Sequence, residues 1–237
     1  MFGPLLALAV TLVAHATPTT DAWLARIDQT ARVSDAHLTL DVTVTDARGR
    51  TNPRTIEIWQ KGDDRRLVRM MAPARLAGIG LLASPGDTLH LFLPQYPPAR
   101  RVVGSKRADA FMGTDFAIED LSRMTFGDAY TAAVKEQTAE RTHLVLTATA
   151  DVDEPPLHVW VDESNVVRKI EHTNNTGEPI RRLILDDIRT IKGTPIPHYM
   201  KVTDLGRNRV TEAHITAIEV GAGLDDALFS VSQLERY

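Results

Sequence analysis

Four basic side chains, Arg100, Arg101, Lys106 and Arg107, follow one another in a stretch with no Asp or Glu between Thr88 and Ala108. Cations grouped this way suit two roles: gripping an anionic headgroup or membrane surface, or solvating a loop. Three carboxylates come next, Asp115, Glu119 and Asp120. They are spaced to favour the first turn of a short helix, with Thr114 or Asp115 as its N-cap. Neither set makes a catalytic constellation. Asp151-Val152-Asp153-Glu154 has the acidity of a calcium loop. It lacks the glycine and closing glutamate of an EF-hand, and Pro155-Pro156 follows, so it reads as a turn. The 8 His stand singly, with no H-E-x-x-H and no paired ligand spacing. There is no G-x-S-x-G elbow, no P-loop and no G-x-G-x-x-G, and Gly78-Ile79-Gly80 alone makes no nucleotide site. These observations point away from an enzyme, a metal centre and a cofactor. A net charge of −4 supplies no bulk attraction to nucleic acid.

The first residues bear on the compartment. Met1 to Ala16, MFGPLLALAVTLVAHA, has no charged side chain, an apolar run from Leu5 to Val13 and a closing Ala14-His15-Ala16. This is the pattern of a secretory signal peptide with an A-x-A cleavage site. It is too short to span a bilayer, which takes about 20 apolar residues. The expectation is a signal peptide over 1–16 and one domain over 17–237, free in the periplasm. The chain has no Cys. It therefore has no disulfide to supplement its core and no thiol to carry a lipid anchor.

The rest of the chain must position whatever the polar groups do. Asp21 to Arg32 reads as a helix, with Trp23, Leu24 and Ile27 at helical spacing. Period-2 alternation then takes over. Leu38, Leu40 and Val42 share one strand face; Ile56 and Ile58, Leu89 and Leu91, Leu144 and Leu146, and Val159 and Val161 repeat the pattern. Arg48-Gly49-Arg50, Lys61-Gly62-Asp63-Asp64, Ser84-Pro85-Gly86-Asp87, Asp162-Glu163-Ser164-Asn165 and Asn174-Asn175-Thr176-Gly177 read as turns. Residues 94–127 break the rhythm, since Pro94, Pro97 and Pro98 forbid a central strand. The count is about ten strands at meander spacing, with two helical pieces. The apolar faces must be covered, and with only 5% aromatic residues they are aliphatic. They suit either a wide lining or an ordinary closed core. Trp59 and Trp160 fall on the mostly polar faces of their strands, as partner contacts or as surface packing.

One segment narrows the choice. Phe111-Met112-Gly113-Thr114-Asp115-Phe116-Ala117-Ile118-Glu119-Asp120-Leu121 resembles the F-M-G-[ST]-D-F-x-x-E-D-L signature of the outer-membrane lipoprotein-sorting family, the LolA/LolB-like proteins. Pro73 to Leu82 is similar to that family's P-A-D-x-x-G-x-x-L-L stretch, with Arg75 where the family usually has Asp. Leu91 to Pro94 and Arg100-Arg101-Val102 are similar to its Y-L-P and basic segments. Val159 to Asp162 with Arg168 to Glu171, and Asp226 to Leu234 with Phe229, resemble its hairpin and C-terminus.

The resemblance implies a mainly β (α+β) fold: an incomplete antiparallel β-barrel of about ten or eleven strands, with helices plugging the open side. It implies a non-enzymatic carrier that holds acyl chains of lipoproteins or lipids and takes part in their transport toward the outer membrane. Transient membrane contact would come through Arg100, Arg101, Lys106 and Arg107. The helix after Phe111 would be a lid, with Gly113 free to take a positive φ. Phe111, Met112, Phe116 and Leu121 would face the cavity, together with the apolar strand positions named above. The alternative is an accessory subunit of an inner-membrane export or lipid transporter, with a filled core and the basic loop as its docking surface.

Overall fold

A computed structural model describes residues 20–149 and 155–236. The expected signal peptide and the acidic run 151–154 lie outside these residues. The described chain opens with α1 (Thr20–Ala31). Its Trp23, Leu24 and Ile27 recur every three or four positions and are buried on one stripe,.

Thirteen strands follow in one antiparallel sheet. The first six are β1 (Asp35–Thr45), β2 (Thr51–Lys61), β3 (Arg65–Ala72), β4 (Gly80–Ser84), β5 (Thr88–Phe92) and β6 (Arg100–Arg101). After an interruption that holds α2 (Ile118–Ser122) come β7 (Tyr130–Gln137), β8 (Arg141–Ala148), β9 (Leu157–Asp162) and β10 (Val167–Thr173). The sheet is completed by β11 (Pro179–Ile191), β12 (Thr194–Asp204) and β13 (Arg209–Val220), and the chain ends in α3 (Val231–Leu234). The spatial order is β6-β5-β4-β3-β2-β1-β13-β12-β11-β10-β9-β8-β7. Every neighbour in the sheet is a neighbour in sequence except at one seam, where β1 pairs with β13 from Ala36 opposite Val220 to Thr45 opposite Val210. The sheet is open, with β6 and β7 at its two edges. The fold is thus the expected incomplete barrel, with more strands than the alternation pattern counted. Among the strands it missed are β6, only two residues long, and β7, whose sequence YTAAVKEQ carries little β propensity,.

Alternation places the core on the concave face. Leu40, Val42, Ile56, Val68, Met70, Leu81, Leu89, Leu183 and Val202 meet Phe111, Phe116, Ile118 and Leu121 there. Beneath α1 a second cluster gathers Leu144, Leu146, Leu157, Val159 and Val161 against Trp23, Leu24 and Ile27. A third cluster covers the convex face. Leu67, Leu82 and Phe92 pack against Phe229 and Leu234 of the C-terminal segment, so β3 is buried on both sides. Gly80 permits this approach, because a Cβ there would stand 2.6 Å from a Leu234 methyl. Arg69 secures it by donating to the Gln233 and Leu234 carbonyls at 3.0 and 3.1 Å. Trp59 joins this convex cluster and stacks on His37.

Trp160 lies on the convex face at the other end of the sheet. It is sandwiched between the His143 ring, 4.0 Å away between centroids, and the Lys169 ammonium, 3.3 Å from its own centroid. His143 also shares a 2.9 Å hydrogen bond with His158.

Two measurements probe these layers. Leu234→Ala removes a fully buried side chain from the convex cluster, and urea unfolding should show a loss of about 2–5 kcal/mol. Burial and the neighbouring His158 push the His143 pKa down to about 4 from 6.5. The unfolded chain therefore takes up a proton that the folded chain refuses between those values. Stability from this group is intact above pH 6.5 and is lost progressively as pH falls toward 4. Thermal unfolding across that window should be flatter in His143→Phe than in the parent protein.

Candidate functional site

The interruption between β6 and β7 carries the family-like motif. A short 3₁₀ turn, Gly104–Ala108, leads into a loop that folds back on itself. Phe111 N–H donates to the Phe116 carbonyl at 2.8 Å, and Ala110 bridges to Ala117. Met112 and Gly113 take positive φ, 48° and 76°, the left-handed region that glycine enters without steric cost. Thr114 and Asp115 are not helix caps. Thr114 spends its hydroxyl on the Phe111 carbonyl at 2.7 Å. Asp115 accepts from the Thr211 hydroxyl at 2.7 Å and lies 3.4 Å from the Arg209 guanidinium, while its N–H donates back to the same hydroxyl at 2.9 Å. Ala117 occupies the N-cap position of α2, and its N–H is satisfied by the Asp120 carboxylate at 2.7 Å.

The N-cap role expected of Thr114 or Asp115 is therefore corrected, while Glu119 and Asp120 do stand in the first turn. Asp115 and Asp120 are buried anchors, tied to strands that lie far off in sequence. Asp120 meets Arg181 at 3.1 Å and His172 at 3.6 Å. Burial opposes its charge, but the His172 hydrogen bond and the Arg181 cation prevail and hold its pKa below the usual carboxylate value,. Glu119 pairs with Arg123 along the helix.

Under α1 and α2 lies an apolar cavity of about 290 Å³. Of the residues singled out by sequence, Leu40, Val42, Ile56, Ile58, Phe116 and Leu121 line it, and Glu119 and Asp120 reach its wall. Leu38, Leu89, Leu91, Phe111 and Met112 pack in the same concave cluster without lining the cavity. Leu144, Leu146, Val159 and Val161 are elsewhere, sealed beneath α1 by its Trp23, Leu24 and Ile27. Ile27 and Ala31 of α1, Ile170, Leu183, Leu185 and Met200 are among the further lining residues. Strand alternation on β10, β11 and β12 was the signal for the last four, since each shares a face with its own strand's inward residues.

A cation faces this cavity. Arg66 donates to the Leu121 and Arg123 carbonyls at 3.1 and 3.2 Å and to the Gln60 side chain, while its buried Nε has no hydrogen-bond partner. Burial lowers its pKa to about 10, still far above neutral, so it remains a charged strut under the end of α2. On the other side Asp28 of α1 accepts from the Phe126 and Gly127 N–H groups at 2.8 and 2.9 Å. Burial raises its pKa against those two hydrogen bonds. These polar contacts add to the apolar packing of Trp23, Leu24 and Ile27 of α1 and of Ile118 and Leu121 of α2.

The basic cluster divides in two. Arg107 pairs with Asp87 at 2.9 Å and Lys106 with Asp109 at 3.3 Å. Arg100 and Arg101 are exposed on edge strand β6 and make no ion pair among the described residues. Tyr96 near them is 62% exposed.

A family model described as "-like: Uncharacterized protein" matches residues 62–236. A search of curated protein sequences finds no match. Among solved structures, a DUF1329 family protein from Desulfovibrio piger superposes with a TM-score of 0.82 at 19% identity, covering 91% of this chain and 97% of that one. A putative outer membrane lipoprotein-sorting protein domain from Vibrio parahaemolyticus gives 0.79 at 20% identity, covering 90% and 97%. A LolA superfamily protein from Nitrosomonas europaea gives 0.74 at 19%, covering 90% and 98%. At these identities the likeness is one of fold. No helix among the described residues is long and apolar enough to cross a membrane.

The Asp115 anchor is open to a direct test. Thr211→Val keeps the shape of the side chain and removes both hydrogen bonds to Asp115. Chemical unfolding should show a loss of about 1–3 kcal/mol, and hydrogen exchange should speed up at the amides of 111–117 more than in the sheet.

Proposed function

We propose that this chain, a member of the family whose model matches residues 62–236 and similar in fold to lipoprotein-sorting and LolA superfamily proteins, is a carrier that shelters acyl chains of lipoproteins or lipids in the cavity beneath α1 and α2. The observation that supports this most is the cavity itself, an aliphatic space of about 290 Å³ between a rigid sheet and two short helices. Moving an acyl chain out of water gains about 0.8 kcal/mol per methylene, so a long chain gains on the order of 10 kcal/mol. Such a chain needs an apolar lining, and a carrier must also let it go. A roof with a closed and an open state would let cargo shift the balance between them, and Arg66, Asp120 and Asp28 are polar fastenings of the closed one. The flexible Met200 and Met124 in the lining can adjust to chains of different shape.

The carrier acts in the periplasm, after export by its signal peptide, and passes cargo on toward the outer membrane without chemical change to it. The exposed Arg100 and Arg101 would make transient contact with an anionic membrane surface. Those two unpaired cations, beside the exposed Tyr96, also favour a second reading: an accessory subunit that docks this loop on an inner-membrane transporter.

Mass spectrometry of lipid extracted from protein purified without detergent separates the two. Stoichiometric lipid or lipopeptide is expected. Lipid-free protein that also fails to bind a fluorescent fatty acid would favour the accessory reading. Met200→Trp fills the cavity from a partly exposed wall position, and it should weaken fatty-acid binding at least about tenfold while the protein still unfolds cooperatively. Unchanged binding would place the cargo somewhere else.

A further inference from the structure

At one end of the concave face, beside Val42 and Ile56 but outside the cavity lining itself, cations accumulate without matching acids. Arg54 extends inward from β2, where it stands opposite Val42 of β1. Its residue is only 8% exposed, its Nη1 donates to the Asn52 carbonyl at 3.1 Å, and its buried Nε has no hydrogen-bond partner. Arg54 makes no ion pair among the described residues. The backbone of Gly113 passes beside it, so that a Cβ on this glycine would stand 3.5 Å from Arg54 Nη2. The same glycine holds a second guanidinium, for Arg209 Nη2 donates to the Gly113 carbonyl at 2.8 Å. A third, on the exposed Arg75, belongs to the loop that leaves β3 at Ala72, which stands opposite Thr55 next to Arg54, and its charge and that of Arg209 add to burial in lowering the Arg54 pKa. Arg75 likewise makes no ion pair among the described residues. Among the described residues the one carboxylate in contact with any of the three is Asp115, whose Oδ1 faces Arg209 at 3.4 Å while Oδ2 is occupied by the Thr211 hydroxyl. Three cations thus stand against one anion around a glycine loop.

We propose that Arg54, Arg75 and Arg209 form a binding site for a phosphate-class oxyanion at the Gly113 loop. A guanidinium removed from water without a counter-charge is costly. Guanidinium forks match the paired oxygens of phosphate, which would supply the missing acceptors. The side chain at position 113 is absent, and the left-handed φ of 76° keeps the backbone close without crowding the Arg54 nitrogens. The ligand is either free phosphate or the phosphate of a lipid headgroup, and the two present the same oxygens. The site is separate from the acyl cavity and does not depend on the carrier reading.

The test uses the whole chain in phosphate-free buffer. Inorganic phosphate should bind saturably by calorimetry and raise the unfolding temperature of the parent protein. Arg75→Asp, at an exposed position that the fold tolerates, should weaken that binding at least about tenfold. Arg54→Gln should do the same if it folds. Co-sedimentation with phosphatidylglycerol vesicles, against phosphatidylcholine controls, then tells the sources apart. Capture that inorganic phosphate displaces assigns the site to a headgroup; capture that is absent, or that phosphate leaves intact, assigns it to the free anion. A parent protein that ignores phosphate, or an Arg75→Asp protein that binds it unchanged, overturns the proposal. Extracted lipid together with indifference to phosphate would overturn this site alone and leave the carrier standing.

Discussion

The structure depends on one long crossing. β6 and β7 follow each other in sequence but sit at opposite edges of a thirteen-stranded sheet. The chain between them must travel the full width of the open barrel, and the concave side is where it goes. Covering that face is therefore a consequence of connectivity as much as of hydrophobicity. Phe111, Phe116, Ile118 and Leu121 of the crossing are all buried against the sheet. The roof of the cavity is what remains when a segment with little regular structure spans a curved surface that it cannot fill.

A crossing without strand pairing has few backbone hydrogen bonds to the sheet, so its position is fixed by polar side chains. Asp115 with Thr211 and Arg209, Asp120 with Arg181 and His172, and Arg66 with two roof carbonyls are spaced along it. Buried pairs of this type add little net stability once desolvation is counted, but breaking one is expensive. Their effect here is to define one placement of the roof over another. The α1 helix is held by the same logic, through Asp28 and the Phe126 and Gly127 amides, on top of a much larger apolar contact.

Much of the sheet was legible, because one-sided strands announce themselves by alternation. The apolar rows through Leu40, Ile56, Leu144 and Val159 appear in the structure as inward-facing rows. β7 was not legible, since alanines and charges at an edge strand carry little pattern. The α2 cap was misplaced for a different reason. Thr114 and Asp115 are good capping residues, but Thr114 turns its hydroxyl to the Phe111 carbonyl within the loop, and for Asp115 tertiary partners outbid the local role,. For Asp115 those partners lie 96 residues away, a distance at which sequence periodicity says nothing. Arg54 and Arg66 were visible in principle. Each shares parity with inward apolar neighbours, Ile56 and Ile58 for one, Val68 and Met70 for the other. A charge at an inward position is the sequence mark of a polar anchor or a site. The cavity itself depends on curvature and on the volume left under the roof, which no alternation pattern encodes.

The seam between β1 and β13 has a consequence for how the molecule comes into being. It joins the first strand to the last, and one of its side-chain hydrogen bonds, from Thr216 to Thr39, bridges 177 residues. Two separate meanders can form early, each from local hairpins, but neither is a barrel until the final strand arrives. Loop closure over such a span makes assembly slow. While the chain emerges, from a ribosome or through a translocation pore, β1 waits with one edge bare. Its sequence tempers that exposure: His37, Thr39, Asp41 and Thr43 alternate with the apolar residues, so the waiting strand is half polar and a poor template for aggregation.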